Sequence, residues 1–225
     1  MKAFKESKAL AGGSKGRPKG SKDRIPRDEI PTRVGELLDD DPGVTLATVQ
    51  QRLGLSAAAA ARALSRLRAE RLADLLLTDP ALTLEDAAAR LGYPTAVQRT
   101  AFADATTELR ARQVQPYLQH VADALAAAGR ADRQDVRVHR LGPEPETLAA
   151  AVVLTGARIP ALVWDERSGW RTATSRRHPI GKETGRRPEG DGIRSLGEEP
   201  QPDPADLLKR LKRLEQDTRS RDLPS

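Results

Sequence analysis

Residues 37–54, LLDDDPGVTLATVQQRLG, and residues 75–92, LLLTDPALTLEDAAARLG, are two copies of one pattern. Leu37-Leu38, Asp41-Pro42, Thr45-Leu46 and Arg52-Leu53-Gly54 recur as Leu75-Leu76, Asp79-Pro80, Thr83-Leu84 and Arg90-Leu91-Gly92, every pair offset by 38 residues. Nine identities in one register mark a supersecondary unit built twice. In each copy the Asp-Pro pair ends a first helix, because a residue before proline avoids the α region. Thr45 and Thr83 are N-caps, and Asp86 completes a capping-box pattern with Thr83. Leu46, Val49 and Leu53 share one helical face, as do Leu84, Ala87, Ala88 and Leu91. Gly54 and Gly92 supply the tight turn, where a positive φ is expected, and Leu55 and Tyr93 plug the angle behind it. A further helix then starts near Ser56 in the first copy and near Pro94-Thr95 in the second. This is the grammar of two helix-turn-helix units.

Charge adds a partner to that pattern. Residues 1–27 hold nine Lys/Arg against two Asp/Glu, whereas residues 28–112 hold ten against thirteen. Positive charge concentrated in a Gly/Lys-rich tail repels itself when compacted and suits a polyanion. Within it, Lys15-Gly16-Arg17-Pro18-Lys19-Gly20-Ser21-Lys22 resembles the AT-hook, a minor-groove module in which arginine is usual where Lys19 stands. Pro18 biases Arg17 toward an extended backbone, and Gly16 and Gly20 permit close approach to a groove floor. The resemblance implies that Arg17 enters the narrow groove of an A·T tract while Lys15, Lys19 and Lys22 meet phosphates.

The tandem units are similar to the paired helix-turn-helix domain of AraC/XylS-type regulators, most closely from Arg68 to Asp86, although only Phe102 of that family's two phenylalanines is present. Under this reading Val97, Ala101 and Phe102 are buried, and Thr95, Ala96, Gln98 and Arg99 form the open side. Gln98 and Arg99 then read adenine and guanine edges. In the first copy Ala57–Ala61 offers almost nothing that hydrogen-bonds a base, so Arg62, Ser65, Arg66 and Arg68 farther along suit phosphates, and Ser56 at the helix start is a further expected DNA contact. The first copy positions and the second specifies.

The C-terminal half has a different grammar. Gln115–Leu125 is an amphipathic helix with Leu118, Val121, Ala122 and Leu125 on one face. Val136–Leu141 alternates weakly like an edge strand, Leu148–Leu154 and Ile159–Trp164 are short apolar runs, and Asp165-Glu166-Arg167-Ser168-Gly169 turns into a returning strand, Trp170–Ala173. Residues 176–202 form a loop, and Asp203-Pro204 starts a last helix with Leu207, Leu208, Leu211 and Leu214 as its stripe. Trp164 shares a strand face with Leu162 and belongs to the core; Trp170, beside a polar turn, is expected to stay partly exposed as a ligand or partner surface. Tyr117-Leu118…Val121-Ala122…Ala124-Leu125 followed by Leu162-Val163-Trp164-Asp165-Glu166-Arg167-Ser168-Gly169-Trp170 resembles a family from high-GC bacteria, domain of unknown function 6292. That resemblance spans about residues 113–215 and implies a small α+β fold without an assigned activity.

Other classes find little support. The chain has no cysteine, which removes disulfides and thiolate-ligated metals. His120, His139 and His178 show no metal spacing, and no phosphate-binding or nucleophile-elbow motif is present. Asp165 and Glu166, adjacent on a strand end, point to opposite faces rather than converging on a substrate. Neither a signal peptide nor a membrane span is evident.

The expectation is therefore a multi-domain chain. Residues 1–30 form a disordered basic arm, 31–112 an all-α tandem helix-turn-helix, 113–216 a small α+β domain, and 217–225 a tail. The implied protein is a cytoplasmic, nucleoid-associated, non-enzymatic bacterial transcription regulator. It binds double-stranded DNA without a cofactor, and its C-terminal domain senses a small ligand or meets a protein. The alternatives are a DNA-bound scaffold for packaging, partition or replication, and a hydrolase using Asp165 or Glu166.

Overall fold

The computed structural model describes residues 25–141, 147–156, 158–177, 179–180 and 190–221, the side chains of 218–221 excepted. In chain order the elements are α1 (Ile30–Asp40), α2 (Leu46–Leu53), α3 (Ala57–Thr78), α4 (Leu84–Arg90), α5 (Thr95–Ala127), β1 (His139–Leu141), β2 (Thr147–Val153), β3 (Ala161–Asp165), β4 (Gly169–Ala173) and α6 (Pro204–Arg221). Helices fill the N-terminal half, and an antiparallel sheet with a helix follows, so the chain is mixed α+β. Its contacts group into two compact units, one up to Leu67 and one from Arg68 onward. The arm residues Lys15, Arg17, Lys19 and Lys22 lie outside the described residues.

The sequence repeat is matched almost bond for bond. Thr45 Oγ1 accepts from the Thr48 amide at 3.2 Å, and Thr83 Oγ1 from the Asp86 amide at 3.1 Å, so both threonines cap the helix that follows. The Asp41 and Asp79 amides close the preceding helices onto Leu37 and Leu75. Gly54 and Gly92 take φ of 63° and 68°, where only glycine is at ease. One detail differs from the capping-box expectation. Asp86 Oδ2 accepts from the Thr83 hydroxyl at 2.7 Å, so it satisfies a side chain.

In the first unit Ile30, Val34, Leu37 and Leu38 of α1 pack with Val44, Val49, Leu55, Ala59, Ala60 and Leu64. Leu46, expected to be buried on one face with Val49 and Leu53, is a correction: in the first turn of α2 it is 38% exposed. In the second unit Leu72, Ala87, Ala88, Tyr93, Ala101 and Ala105 form a core with Leu91, Val97 and Phe102 at its margin. Leu55 and Tyr93 are both buried behind their glycine turns, as the pattern anticipates.

α5 carries the second unit from that core to the next. It runs for 33 residues, about 50 Å, straight through residues 112–113, where the sequence suggests a boundary between domains. Pro116 sits inside it. The sheet order is β1-β2-β3-β4, antiparallel throughout. One face presents Leu148, Ala150, Val152, Leu162, Trp164 and Trp170 to Val114, Leu118, Val121 and Leu125 of α5 and to Leu207 and Leu211 of α6. On the other face Ala151, Ala161, Val163 and Ala173 gather with Ile180. The alternation follows from the two-residue period of strands.

The edge strand is shorter than its sequence suggests, and glutamines explain why. Gln134 donates from Nε2 to the Val153 carbonyl at 3.0 Å and accepts from the Val153 amide at 3.1 Å, imitating a strand partner with a side chain. Gln119 accepts from the Val136 amide at 3.1 Å and donates to the Gln134 carbonyl at 3.1 Å, and Gln115 donates to the Val136 carbonyl at 2.6 Å. Residues 134–136 are thus held by amide side chains, and regular pairing starts only at His139. At the opposite edge, Ser195 bridges Arg171, and the Leu196 amide donates to the Trp170 carbonyl at 2.9 Å.

Candidate nucleic-acid interface and the tryptophan hairpin

The residues expected to meet DNA divide between the two units. In the first, Ser56 is the cap of α3: its Oγ accepts from the Ala59 amide at 3.3 Å, and it is half-buried. Arg62 and Arg66, four apart on α3, are exposed, and the exposed Ala57, Ala58 and Ala61 precede them. Ser65 is half-buried. Arg68 is a correction. It is buried on the second unit's part of α3, its guanidinium 5.9 Å from the centroid of the Tyr93 ring, so it packs a core instead of facing a backbone.

In the second unit Thr95 opens α5 and Arg99 follows one turn later, both exposed. Gln98 is the second correction. It is half-buried, and its Nε2 donates to the Tyr93 carbonyl at 2.9 Å, so its amide braces the turn into α5. The side-chain pattern alone places Gln98 on an open face; the bend at Gly92–Pro94 brings the Tyr93 carbonyl back over it.

The hairpin of β3 and β4 overturns the expectation for Trp170. Both Trp164 and Trp170 are 1% exposed, and they stand opposite each other in the register. Trp164 Nε1 donates to the Pro200 carbonyl at 2.6 Å. Trp170 Nε1 donates to Tyr117 Oη at 2.9 Å, and that hydroxyl donates to the Pro202 carbonyl at 3.1 Å. Burial pushes the Tyr117 phenol above its ordinary pKa, against the pull of the Trp170 hydrogen bond. Two indoles and a phenol therefore strap residues 200–202 across the sheet. Trp170 offers no surface for a ligand because the strap and α5 cover it.

The two carboxylates of the turn are likewise engaged in holding it. Asp165 Oδ1 accepts from the amides of Arg167 at 3.0 Å and Ser168 at 2.7 Å. Glu166 accepts twice from Arg110 Nη1 at 2.8 Å and once from the Leu148 amide at 3.0 Å. Among the described residues no group of His, Asp and Glu is placed to hold a metal ion, and no helix is long and apolar enough to cross a membrane.

Spacing singles out Trp164, Asp165, Glu166, Gly169 and Trp170 as a unit, and the structure gives each a bond or a contact within the fold. Residues 117–213 match the model of a family of unknown function, DUF6292. The DUF6292 stretch opens on Tyr117 and encloses both tryptophans and the strap they hold. No curated protein and no solved structure matches the chain. Sequence reasoning missed Tyr117, Gln119, Gln134 and Arg110, whose partners lie between 15 and 85 residues away. Only Tyr117 carried a signal, as the first residue of the quoted pattern.

Proposed function

We propose that the chain is a DNA-binding protein, a transcription regulator whose two repeats are helix-turn-helix units. One observation carries the reading. A threonine-capped helix, a glycine at positive φ and a following helix occur twice, 38 residues apart. That arrangement presents the start of a helix to a groove, and the basic segment before it supplies charge for phosphates. In the first unit Arg62 and Arg66 meet the backbone; in the second Thr95 and Arg99 face base edges. The minor-groove role of Lys15, Arg17, Lys19 and Lys22 belongs to the same proposal, as does the place of the DUF6292 stretch as a partner-binding half.

A hydrolase is the weaker reading, because Asp165 and Glu166 are both occupied in holding the turn. Fluorescence anisotropy of the full chain on a labelled random-sequence duplex, across a salt series, tests the proposal. Binding is expected to weaken steeply with salt, and removing residues 1–27 is expected to reduce the log–log slope by several units. No binding at low salt, or a slope near zero, overturns it.

A further inference from the structure

Along α5, the helical core around Tyr93 ends at Ala105, and the core beneath the sheet begins with Ala111 at its margin and Val114 within it. Among the described residues the two cores have no member in common. The span between them carries Glu108, Arg110 and Arg112 within five positions. Arg112 Nε donates to Glu108 at 2.8 Å, and Arg112 Nη1 also reaches Asp74 on α3. The other oxygen of Glu108 accepts from Arg140 on β1 at 2.5 Å. Arg110 grips Glu166 in the β3–β4 turn, and Glu166 in turn accepts from the Leu148 amide of β2. Burial pulls the Arg112 pKa down, but the hydrogen bonds and charges of Asp74 and Glu108 together hold it above its ordinary value.

We propose that this belt of ion pairs around residues 108–112 is what couples the opening of the α4–α5 helical core to that of the sheet. An isolated exposed pair stabilises little, because ordering two long side chains offsets its attraction. Here Glu108 and Arg112 each serve two partners, so one ordering cost supports several bonds, and Glu108 and Glu166 are only 18% and 22% exposed. With the belt intact, α4 and the first turns of α5 open only when the sheet does. With it broken, they open by themselves. The coupling is a property of the fold and stands whether or not the DNA reading does.

Amide hydrogen exchange on the full chain reads this directly, since it assigns an opening equilibrium to each segment. The parent is expected to show matched protection in α4 and in β2–β3. In Arg110→Ala/Arg112→Ala, protection in α4 is expected to fall about tenfold while that of β2–β3 falls less. Asp74→Ala and Arg112→Ala, separately and together, form the second arm; the double variant is expected to lose no more than the worse single one. Protection in α4 within about twofold of the parent, or losses that multiply in the double variant, overturns the proposal.

Discussion

Trp164 on β3 and Trp170 on β4 stand opposite one another on the same face of the sheet, one indole N–H bonded to the Pro200 carbonyl and the other to the Tyr117 hydroxyl. Placing them there makes the hairpin the anchor for both α5, through Tyr117, and the 200–202 strap. Trp170→Ala is therefore expected to cost about 3–5 kcal/mol, as much as Trp164→Ala, by removing a large buried ring. Chemical denaturation of the full chain measures both. A Trp170→Ala variant as stable as its parent would show that the strap does not depend on this side chain.

Tyr117 links stability to alkaline pH. Burial, first of all, raises its pKa in the fold, whereas an unfolded tyrosine ionises near about 10. A group whose folded pKa is raised contributes stability that is complete below the unfolded value and lost as pH rises toward the folded one. Unfolding midpoints should thus fall between pH about 10 and the folded value, beyond the fall shown by Tyr117→Phe. The phenylalanine variant also leaves the Trp170 N–H without its acceptor, which costs about 1–3 kcal/mol at every pH. Parallel pH profiles for the two proteins would count against this account.

Gly169 meets two demands at once. Its φ is 69°, and a Cβ there would lie 2.7 Å from the Glu199 carbonyl oxygen and 3.2 Å from the Pro200 Cα. Both are backbone atoms of the segment that leads into the strap, which cannot retreat by changing a rotamer. Left-handed backbone alone costs an alanine about 1–2 kcal/mol, and the clash adds to it. Gly169→Ala is expected to lower the melting temperature more than Gly129→Ala, where φ is 67° but no atom lies within 4 Å of the added carbon. Equal shifts in the two variants would remove the steric part of the argument.

The legible parts of the fold were those encoded by local chemistry. Threonine caps, glycine turns and the 38-residue offset each involve groups within a few positions of one another, so the sequence places them directly. The hairpin was legible in outline, and its register follows from the turn. With Asp165 paired to Gly169, Trp164 must meet Trp170 on one face, and a core-facing Trp164 makes Trp170 core-facing too. Treating the two strands separately hid that. The helix read over Gln115–Leu125 is the C-terminal part of a longer one, since α5 runs through Pro116 without a break. The glutamine links to residues 134–136 and 153, the belt around Glu108 and the Gln98–Tyr93 bond depend on where distant or bent backbone comes to rest. No periodicity encodes such contacts.

Under the proposed DNA reading, the neighbours Gln98 and Arg99 at the start of α5 have separate roles. Thr95 and Arg99 lie one turn apart and exposed, which is where a helix entering the major groove presents side chains to bases. Arg99 can then donate both bonds of a bidentate contact to guanine. Gln98 cannot make the matching contact to adenine while its Nε2 is held by the Tyr93 carbonyl at 2.9 Å. Its part is to fix the turn between Gly92 and α5, and so the direction in which Arg99 points. On a site selected from random duplexes, Arg99→Ala is expected to cost about 1–3 kcal/mol and to flatten preference at one base pair. Gln98→Ala is expected to weaken binding to preferred and scrambled sites by the same factor, because a loosened turn degrades every docked geometry alike. Arg66→Ala should do so as well, through a lost phosphate contact, and it should also reduce the salt slope by about one unit. If Gln98→Ala changes the preferred base while Arg99→Ala leaves it unaltered, the assignment of roles along this helix is reversed.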